Sequence, residues 1–387
     1  MLKTALICLL LIFYKSEAPA KEQGVGDSEV LIGSHSCESG PYAMFASVSR
    51  ASAALFDQIN EKGGIHGRKI KFLRIDSQCL QPKTIEATKK LVEQDGVFAM
   101  FGSVSGSHQA VYKYLAEKNV PDVFFSDGIS EYAIPIKKNI FPGQIPFTQQ
   151  GKSLAQIAVE KYKAKKACFF IPDTQSGEDF YAGAKEALDA GNTKLKESEK
   201  IKFGVSEKFE RLASQANANV LNLKRDGCEI VFTSAVGTLA PASISYGFLQ
   251  GFKPTWFVMT QNATDSFLKL LPEGARDGII ANIGVLLNQK DNPEKWNAYE
   301  SLMTKNSIPV SALSLEGYVE GELLIESLKR TGKNLTKESF YTAVESIHDW
   351  TCSVCVGPMS YSPKNHWGRN VPKSLISKAG SWEYIKP

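Results

Sequence analysis

Short apolar runs alternate with helical patterns along most of this sequence, and the alternation restricts the folds that the chain can adopt. Near-continuous apolar strands separated by helices are typical of a parallel sheet that is covered on both faces. The first predicted helix ends at Gly63-Gly64, as helices often end at glycine. In the first part of the chain the predicted strands are EVLIGS, KIKFLRID, VFAMFG and PDVFFSD, and the predicted helices between them are FASVSRASAALFDQINEKGG, KTIEATKKLVEQDG and HQAVYKYLAEKN.

The alternation pauses near NIFPGQIPFT and then restarts as a second set of strands and helices. A chain of 387 residues is longer than one core usually covers, so we expect two lobes, each with its own parallel sheet. Helices near 296–305, 312–330 and 337–346, followed by short strands up to Tyr384, are expected to rejoin the two lobes. In the second set the predicted strands are KACFFIP, EIVFTSA and PTWFVMT, and the predicted helices are LAQIAVEKY, EDFYAGAKEALDAG, NANVLNLKRDG and SISYGFLQG.

The N-terminus has the pattern of a secretory signal peptide. Lys3 precedes an apolar run from Ala5 to Tyr14, and small residues end the segment at Ala18-Pro19-Ala20. The apolar run is shorter than the ~20 residues that span a bilayer, which argues against the alternative of a membrane anchor. We therefore expect residues 1–20 to be a signal peptide and the mature protein to be soluble and exported.

The cysteine content fits an exported protein. An even number of cysteines in an oxidising compartment permits disulfides, although the sequence alone does not give their connectivity. TCSVCVG contains a CxxC, for which a local Cys352–Cys355 disulfide or two free thiols is favoured over a redox site, since the motif does not open a helix after a strand. Beyond Cys8 of the signal segment, the cysteines are Cys37, Cys79, Cys168, Cys228, Cys352 and Cys355.

Motifs for catalysis, nucleotides and metals are scarce. The sequence has no GxxxxGK[ST], no GxSxG, no HExxH and no GxGxxG after a strand, and its five histidines lack metal-ligand spacing. His108 beside Ser107 is favoured as a helix residue over a catalytic base. Glu131, Asp173 and Glu178 are favoured as solvated or capping carboxylates over an acid–base pair. A net charge of +4 without a basic, aromatic-interleaved run argues against nucleic acid.

Small, hydroxyl and amide residues follow nearly every predicted strand. Ligands of open parallel sheets bind beyond the carboxyl ends of the strands, so these residues should line a cleft of neutral hydrogen-bonding groups. Such a cleft is better suited to holding a small polar molecule than to transforming it. One of the loops, GSVSGSH, precedes a helix and would offer backbone N–H groups to an anion. The strand ends are SHSCESGPYA, DSQCLQPK, GSVSGSH and SDGISEY in the first lobe, and PDTQSGED, TSAVGT and TQNATD in the second.

These residues resemble a known family. The chain resembles the type I periplasmic solute-binding proteins of ABC transporters, in particular the branched-chain amino acid (Leu/Ile/Val) branch. The resemblance is carried by the stretch from VLIGSHSCESGPYA through INEKGGIHGRKI and DSQCLQPK to FGSVSGSH, and it extends to NVPDVFFSDGIS, GFLQGFKPTWFV and CVGPMSYS. The resemblance implies an α/β fold of two Rossmann-like lobes with parallel sheets, joined by a three-stranded hinge. It places residues 27–146 plus 284–370 in lobe 1 and residues 147–283 plus 371–387 in lobe 2.

Members of this family capture a solute between the lobes and deliver it to the permease subunits of an ABC transporter. The resemblance therefore implies a monomeric protein of the periplasm that binds a small molecule, is not an enzyme, and needs no cofactor or metal. Two alternatives remain open. One is a ligand-sensing receptor module of the same fold, and the other, less favoured, is a secreted hydrolase, for which the sequence shows no activated nucleophile.

The resemblance also implies ligand contacts in lobe 1. Ser105 falls where the family binds a ligand carboxylate. Gly128 and Ser130 fall in the second contributing loop, where they would use backbone and hydroxyl groups respectively. Phe45 falls where an aromatic ring packs on the ligand.

Lobe 2 departs from the amino-acid pattern. Ser176 and Val236 fall where aromatic residues often stand, and Gln261, with Asn262 beside it, falls where amino-acid binders place an acidic residue for the ligand ammonium. A neutral amide lacks the Coulomb attraction of a carboxylate, and Asp265 is a helical turn away. The sequence therefore predicts a ligand with a neutral or purely anionic head group in preference to leucine or valine.

A disulfide between Cys37 and Cys79 is also predicted. These residues follow the first and second strands, which are neighbours in a 2-1-3 strand order, so their Cα atoms should fall within the ~4.4–6.8 Å that a disulfide needs. In the family, the partner of Cys79 would fall near Val104, which cannot form such a bond.

Overall fold

A parallel sheet forms from the N-terminal third of the chain. In the computed structural model, which describes residues 22–40, 42–104, 107–163, 165–211, 213–285, 292–369 and 372–385, this sheet has the strand order β2-β1-β3-β4-β5. Every neighbouring pair is parallel, and the 2-1-3 order of the first three strands is the predicted one. The strands are β1 Glu29–Ser36, β2 Lys69–Asp76, β3 Ala99–Phe101, β4 Asp122–Val123 and β5 Ile140–Phe141.

A second sheet contains seven strands within the described residues, in the order β12-β11-β10-β9-β8-β6-β7. The five strands from β6 to β10 are parallel, whereas β11 pairs antiparallel with both β10 and β12. Two mostly parallel sheets surrounded by helices confirm the predicted two-lobe α/β fold. The strands are β6 Lys166–Pro172, β7 Lys202–Phe209, β8 Ile230–Thr233, β9 Thr255–Val258, β10 Ile280–Ile283, β11 Lys373–Lys378 and β12 Ser381–Tyr384.

The helices divide between the two sheets, and the chain passes from one sheet to the other three times. Helices α9 and α10 pack on α1 beside the first sheet and α11 packs on α10, after which β11 returns to the second sheet. The three passages lie near 142–146, 284–292 and 370–372, and part of the last two is outside the described residues. The helices are α1 Ala46–Glu61, α2 Gln81–Lys89, α3 Tyr112–Glu117, α4 Phe147–Lys161, α5 Gln175–Asn192, α6 Asn217–Arg225, α7 Leu239–Leu249, α8 Asp265–Lys269, α9 Pro293–Lys305, α10 Ala312–Thr331 and α11 Lys337–Glu345.

Within the part of the chain that the structure describes, no helix combines the length and the apolar character needed to cross a membrane. The predicted signal peptide, residues 1–20, lies outside the described residues.

Close helix packing depends on glycine in both lobes. A Cβ atom on Gly317 of α10 would lie 2.0 Å from the carbonyl oxygen of Val48 in α1, and Ser52 Oγ donates a hydrogen bond to the Gly317 carbonyl at 2.7 Å. In the second lobe, a Cβ atom on Gly183 of α5 would lie 1.8 Å from the carbonyl oxygen of Thr148 in α4. At both crossings the backbones approach too closely for any side chain.

Three disulfides are present among the described residues. Cys37–Cys79 links the end of β1 to the residues after β2, with a Cα–Cα distance of 5.2 Å. Cys352–Cys355 closes the CxxC loop. Cys168–Cys228, which joins β6 to the residues before β8, was not predicted; its Cα–Cα distance is 5.7 Å. Asp226 lies beside this last pair, but two cysteines that bond each other are not available to a metal ion.

Candidate ligand-binding cavity

A cavity of about 400 Å³ lies where strand ends of the two sheets face each other. Its walls come from the residues after β1, β3 and β4 on one side and after β6, β7, β8 and β9 on the other. All of these strands are parallel within their sheets, so their carboxyl ends meet at one edge, where such folds bind ligands. The volume falls in the range of small-molecule sites.

Aromatic side chains form much of the wall. Phe45, predicted as a packing surface, lines the cavity together with Tyr42, and the two ring centroids are 6.2 Å apart. Phe147 at the start of α4 and Phe209 at the end of β7 also line it. Behind Phe45 the Cys37–Cys79 disulfide packs in one apolar cluster with the ring, so the disulfide supports this part of the wall.

The three residues predicted in lobe 2, Ser176, Val236 and Gln261, all lie on the cavity wall. Each stands just beyond the carboxyl end of a strand, namely β6, β8 and β9. Ser176 Oγ lies 2.8 Å from Thr174 Oγ1, another lining residue, so this side of the cavity offers paired hydroxyl groups.

Gln261 has a defined hydrogen-bonding arrangement. Its Oε1 accepts a hydrogen bond from Thr260 Oγ1 at 3.1 Å, while its Nε2 has no hydrogen-bond partner among the described residues. This amide therefore offers hydrogen-bond donors at the cavity wall. Asn262, by contrast, is buried and donates from Nδ2 to the Ala235 carbonyl at 2.8 Å, so it ties the β8 and β9 loops together and is not one of the described lining residues.

The other three residues predicted in lobe 1 are Ser105, Gly128 and Ser130. Ser105 lies outside the described residues, although Val104 before it lines the cavity. Gly128 and Ser130 are not among the described lining residues. The Gly128 carbonyl accepts from the Phe147 backbone N–H at 2.8 Å, and the Ser130 backbone N–H donates to Asp179 Oδ2 at 2.7 Å. Both residues thus connect this loop to the helices of the second lobe.

The acidic residues considered near the site lie elsewhere. Asp265 is exposed at the start of α8, and Glu178 forms an ion pair with Lys208 at 2.6 Å. The carboxylate that the structure places on the described cavity wall is Asp127, in the loop after β4. Asp127 belongs to SDGISEY, one of the segments predicted to line the cleft, but nothing in the sequence distinguished it from its neighbours.

Two ionisable side chains, Asp127 and Arg211, lie on the described cavity wall. Burial raises the pKa of Asp127, and this rise is opposed by a 2.8 Å hydrogen bond from the Tyr132 hydroxyl and by the positive charge of Arg211. Asp127 is only 2% exposed, whereas Arg211, from the segment after β7, is partly exposed. The Arg211 guanidinium carbon lies 5.6 Å from the ring centroid of Tyr42, a residue of the opposite lobe.

Two further polar atoms of the wall lack partners within the described residues. These are Gln144 Oε1, in the first passage between the sheets, and Ser234 Oγ, after β8. A buried polar atom without a hydrogen bond costs about 1–3 kcal/mol, so both atoms favour a ligand that can hydrogen-bond to them.

His108 does not form part of a catalytic pair at this cavity. It is fully buried, with Nε2 2.9 Å from Asp122 Oδ2 and Nδ1 3.0 Å from His35 Nε2. The neighbouring hydroxyl, Ser107 Oγ, accepts a hydrogen bond from Thr84. Burial and the neighbouring His108 hold the pKa of His35 well below its usual value. The pair is thus part of the core beneath the site.

Two lobes that meet in a small-molecule cavity at their facing strand ends define a class of proteins that bind a ligand between domains. The comparison with known sequences gives the family: the chain belongs to the periplasmic binding proteins, whose family model matches residues 29–370. Among relatives, the Leu/Ile/Val-binding protein homolog 1 of Brucella suis is 22% identical over 313 residues, which cover 80% of this chain and 81% of that protein. This confirms the resemblance to the Leu/Ile/Val-binding branch.

Solved structures agree with the fold. A branched-chain amino acid ABC transporter protein from Thermus thermophilus, with bound valine, matches with a TM-score of 0.82 at 15% identity, covering 94% of this chain and 96% of that chain. A solute-binding protein of an ABC transporter from Rhodopseudomonas palustris, in complex with benzoate, matches with a TM-score of 0.78 at 19% identity, covering 92% and 95%. At these identities the likeness shows the fold alone.

Proposed function

We propose that this protein is an extracytoplasmic solute-binding protein that captures a small organic molecule between its two lobes and delivers it to the permease of an ABC transporter. Support comes from the family match and from a cavity walled by both lobes, so that a bound ligand would hold the lobes together. On this proposal the protein acts without chemical turnover, as a monomer in the periplasm, after removal of residues 1–20.

The head group of the ligand carries no ammonium in this proposal. The observation that carries it is the hydrogen bonding of Gln261: Oε1 accepts from Thr260 with one of its two lone pairs, and Nε2 offers two N–H donors that have no partner among the described residues. A donor suits a carboxylate or carbonyl oxygen, whereas an ammonium is itself only a donor and would oppose it. Related folds are described with valine and with benzoate, so the fold accommodates both kinds of head group.

Calorimetry on the purified protein tests this preference. The probes are leucine and valine, their deaminated acids, and the primary amides of those acids. We expect the acids and amides to bind more tightly than the amino acids. Micromolar or tighter binding of leucine, together with a preference for leucine over 4-methylpentanoate, would refute the head-group proposal while leaving the solute-binding role intact.

A substitution sharpens the test. Gln261→Glu replaces the donor by a carboxylate, so it should improve binding of ammonium ligands and weaken binding of acids by repulsion. Gln250→Glu, on an exposed residue after α7, makes the same change in net charge away from the cavity and should leave the order of affinities unchanged. Equal effects of the two variants would contradict a contact between Gln261 and the ligand.

Transport and sensing can be separated by a second measurement. In membrane vesicles that contain the permease and its ATPase, the ligand-loaded protein should stimulate ATP hydrolysis and uptake of the labelled ligand. Ligand binding without any stimulation would favour the receptor alternative.

A further inference from the structure

We propose that Glu320 is a pH-sensitive element of the hinge between the lobes: its neutral form holds the lobes in the arrangement that encloses the cavity, and its ionised form releases them. This inference rests on the proposed solute-binding function and adds regulation to the same site, because a ligand enclosed by both lobes is released when they separate. It starts from a buried chain of contacts that runs from the cavity wall to the three passages between the sheets.

Arg369 joins the three passages. It is the last described residue before the third passage, and its Nη1 lies 3.5 Å from the carbonyl oxygen of Gly143 in the first. A Cβ atom on Gly284, in the second passage, would lie 2.7 Å from Nη2. Gly143, Gly284 and Arg369 thus form one hinge junction, in which a buried guanidinium contacts the segments that must bend when the lobes move.

Two glutamates of α10 lie beside the hinge junction. Glu316 Oε1 accepts a hydrogen bond from Arg369 Nη1 at 2.5 Å. Glu320, one helical turn further on, is 1% exposed, and its Oε1 accepts a hydrogen bond from the hydroxyl of Ser126. Ser126 belongs to the loop after β4 and lines the cavity. Glu320 therefore lies between the wall of the ligand cavity and the hinge junction.

The surroundings of Glu320 favour its neutral form. The ionisable groups facing it are Glu316 on its own helix, Arg369 at the hinge junction and Tyr361 from the segment after α11. Arg369 is already paired with Glu316, so a second carboxylate would leave one uncompensated negative charge in a buried place. Glu320 Oε2 has no hydrogen-bond partner among the described residues, so no donor there stabilises such a charge. Burial, and then the charge of Glu316, accordingly raise the pKa of Glu320 well above 4.5, while Ser126 and Arg369 oppose the rise.

The described arrangement is the one that encloses the cavity. Walls from both lobes line it, and the Tyr42 hydroxyl of lobe 1 donates to the Arg211 carbonyl of lobe 2 at 3.2 Å. Separation of the lobes bends the three passages and loosens the packing at the hinge junction, which gives Glu320 access to water. The carboxyl group therefore binds its proton more tightly in the enclosed arrangement than in the open one. Its stabilisation of the enclosed arrangement is complete below the open-state pKa and is lost as the pH rises through the raised pKa, so a rise in pH favours opening.

Small-angle X-ray scattering on the mature chain without ligand tests the inference. The radius of gyration is measured from pH 4.5, the ordinary pKa of a glutamic acid, up to about pH 9, and circular dichroism on the same samples checks that the chain is folded. We expect the wild-type radius to increase with pH in one transition, in which the ratio of enclosed to open molecules changes at most about tenfold per pH unit because one proton is involved. Glu320→Gln, which cannot ionise, should keep the smaller radius throughout. Glu86→Gln, at an exposed position of α2, removes the same charge and should follow the wild type.

A further variant tests the contact between the cavity wall and Glu320. Ser126→Ala removes a hydrogen bond that lowers the pKa of Glu320, so the transition should move to higher pH. A wild-type radius that is independent of pH, a transition that persists in Glu320→Gln, or an unshifted transition in Ser126→Ala would overturn the inference. Because scattering needs no ligand, each of these results leaves the solute-binding function standing. A wild-type transition in a protein that binds none of the calorimetric probes would support the role of Glu320 and count against the solute-binding function.

Discussion

The Cys168–Cys228 disulfide gives a quantitative prediction about the stability of the second lobe. The bond joins residues 60 apart in sequence, and the loop that it closes contains α5, β7 and α6. Replacing both cysteines with alanine keeps each Cβ atom and removes the covalent link. The change therefore acts mainly on the unfolded chain, whose conformations the link restricts.

The expected magnitude follows from the loop length. The chain-entropy relation for a closed loop of 60 residues gives about 4.3 kcal/mol of stabilisation at 25 °C. For Cys352–Cys355, with a separation of 3, the same relation gives about 1.6 kcal/mol. The double alanine variant at Cys168 and Cys228 should thus lose about 2.7 kcal/mol more than the variant at Cys352 and Cys355.

Urea unfolding at equilibrium provides the assay. Circular dichroism follows the whole chain, and fluorescence follows its five tryptophans, of which Trp256 on β9 and Trp382 on β12 belong to the second sheet. All proteins are measured oxidised, and the wild type is also measured after reduction. Equal losses in the two double variants, or a loss below about 1 kcal/mol at Cys168–Cys228, would refute the loop-length reasoning.

Two further predictions concern packing and protonation. Gly317→Ala should destabilise the protein by about 1–3 kcal/mol, because the new Cβ atom would lie 2.0 Å from the Val48 carbonyl oxygen. Gly357→Ala is the neutral control, since no atom lies within 4 Å of a Cβ atom at that position. Equal thermal stability of the two variants would contradict this reasoning. Burial, and secondarily the charge of a neighbouring glutamate, raises the pKa of Glu320 well above its ordinary value of 4.5, so its contribution to stability is fully present below that value and is lost as the pH rises through the folded-state pKa. Glu320→Gln keeps an acceptor for the Ser126 hydroxyl and cannot ionise. The free energy of unfolding of this variant, relative to that of the wild type, should therefore increase as the pH rises towards neutral. A difference between the two proteins that does not change with pH would contradict this prediction.

Apolar residues made several strands predictable. KACFFIP, an apolar run, coincides residue for residue with the interior strand β6, and KIKFLRID, in which apolar and charged residues alternate, coincides with the edge strand β2. Edge strand β7 was missed because its side chains are mostly exposed and polar residues interrupt its pattern, so it has no apolar run. Strand β4 was predicted too long: its continuous pairing ends at Val123, because Phe124 adopts a φ of 53° and interrupts the extended backbone, and pairing resumes only as an isolated bridge between Val104 and Ser126. Local backbone conformations of this kind are set by tertiary contacts.

The site was predictable only where it follows recognised strands. Ser176, Val236 and Gln261 stand beyond predicted strand ends and do line the cavity. Arg211 was missed because the strand that delivers it was missed. Asp127 was inside a marked loop, but its importance comes from burial and from a tyrosine hydroxyl, and neither can be inferred from the local sequence.

The three passages of the chain between the sheets have a consequence for the order in which the molecule assembles. Helix α10 packs on α1 beside the first sheet, and β11 then extends the second sheet by pairing with β10. The first lobe therefore cannot complete its packing without residues beyond 311, and the second lobe cannot complete its sheet without residues beyond 372. As the chain emerges from its N-terminus, both lobes stay open on one side until nearly all of it has appeared. Newly made protein accordingly presents apolar surface for most of its synthesis, and it finishes both halves almost together.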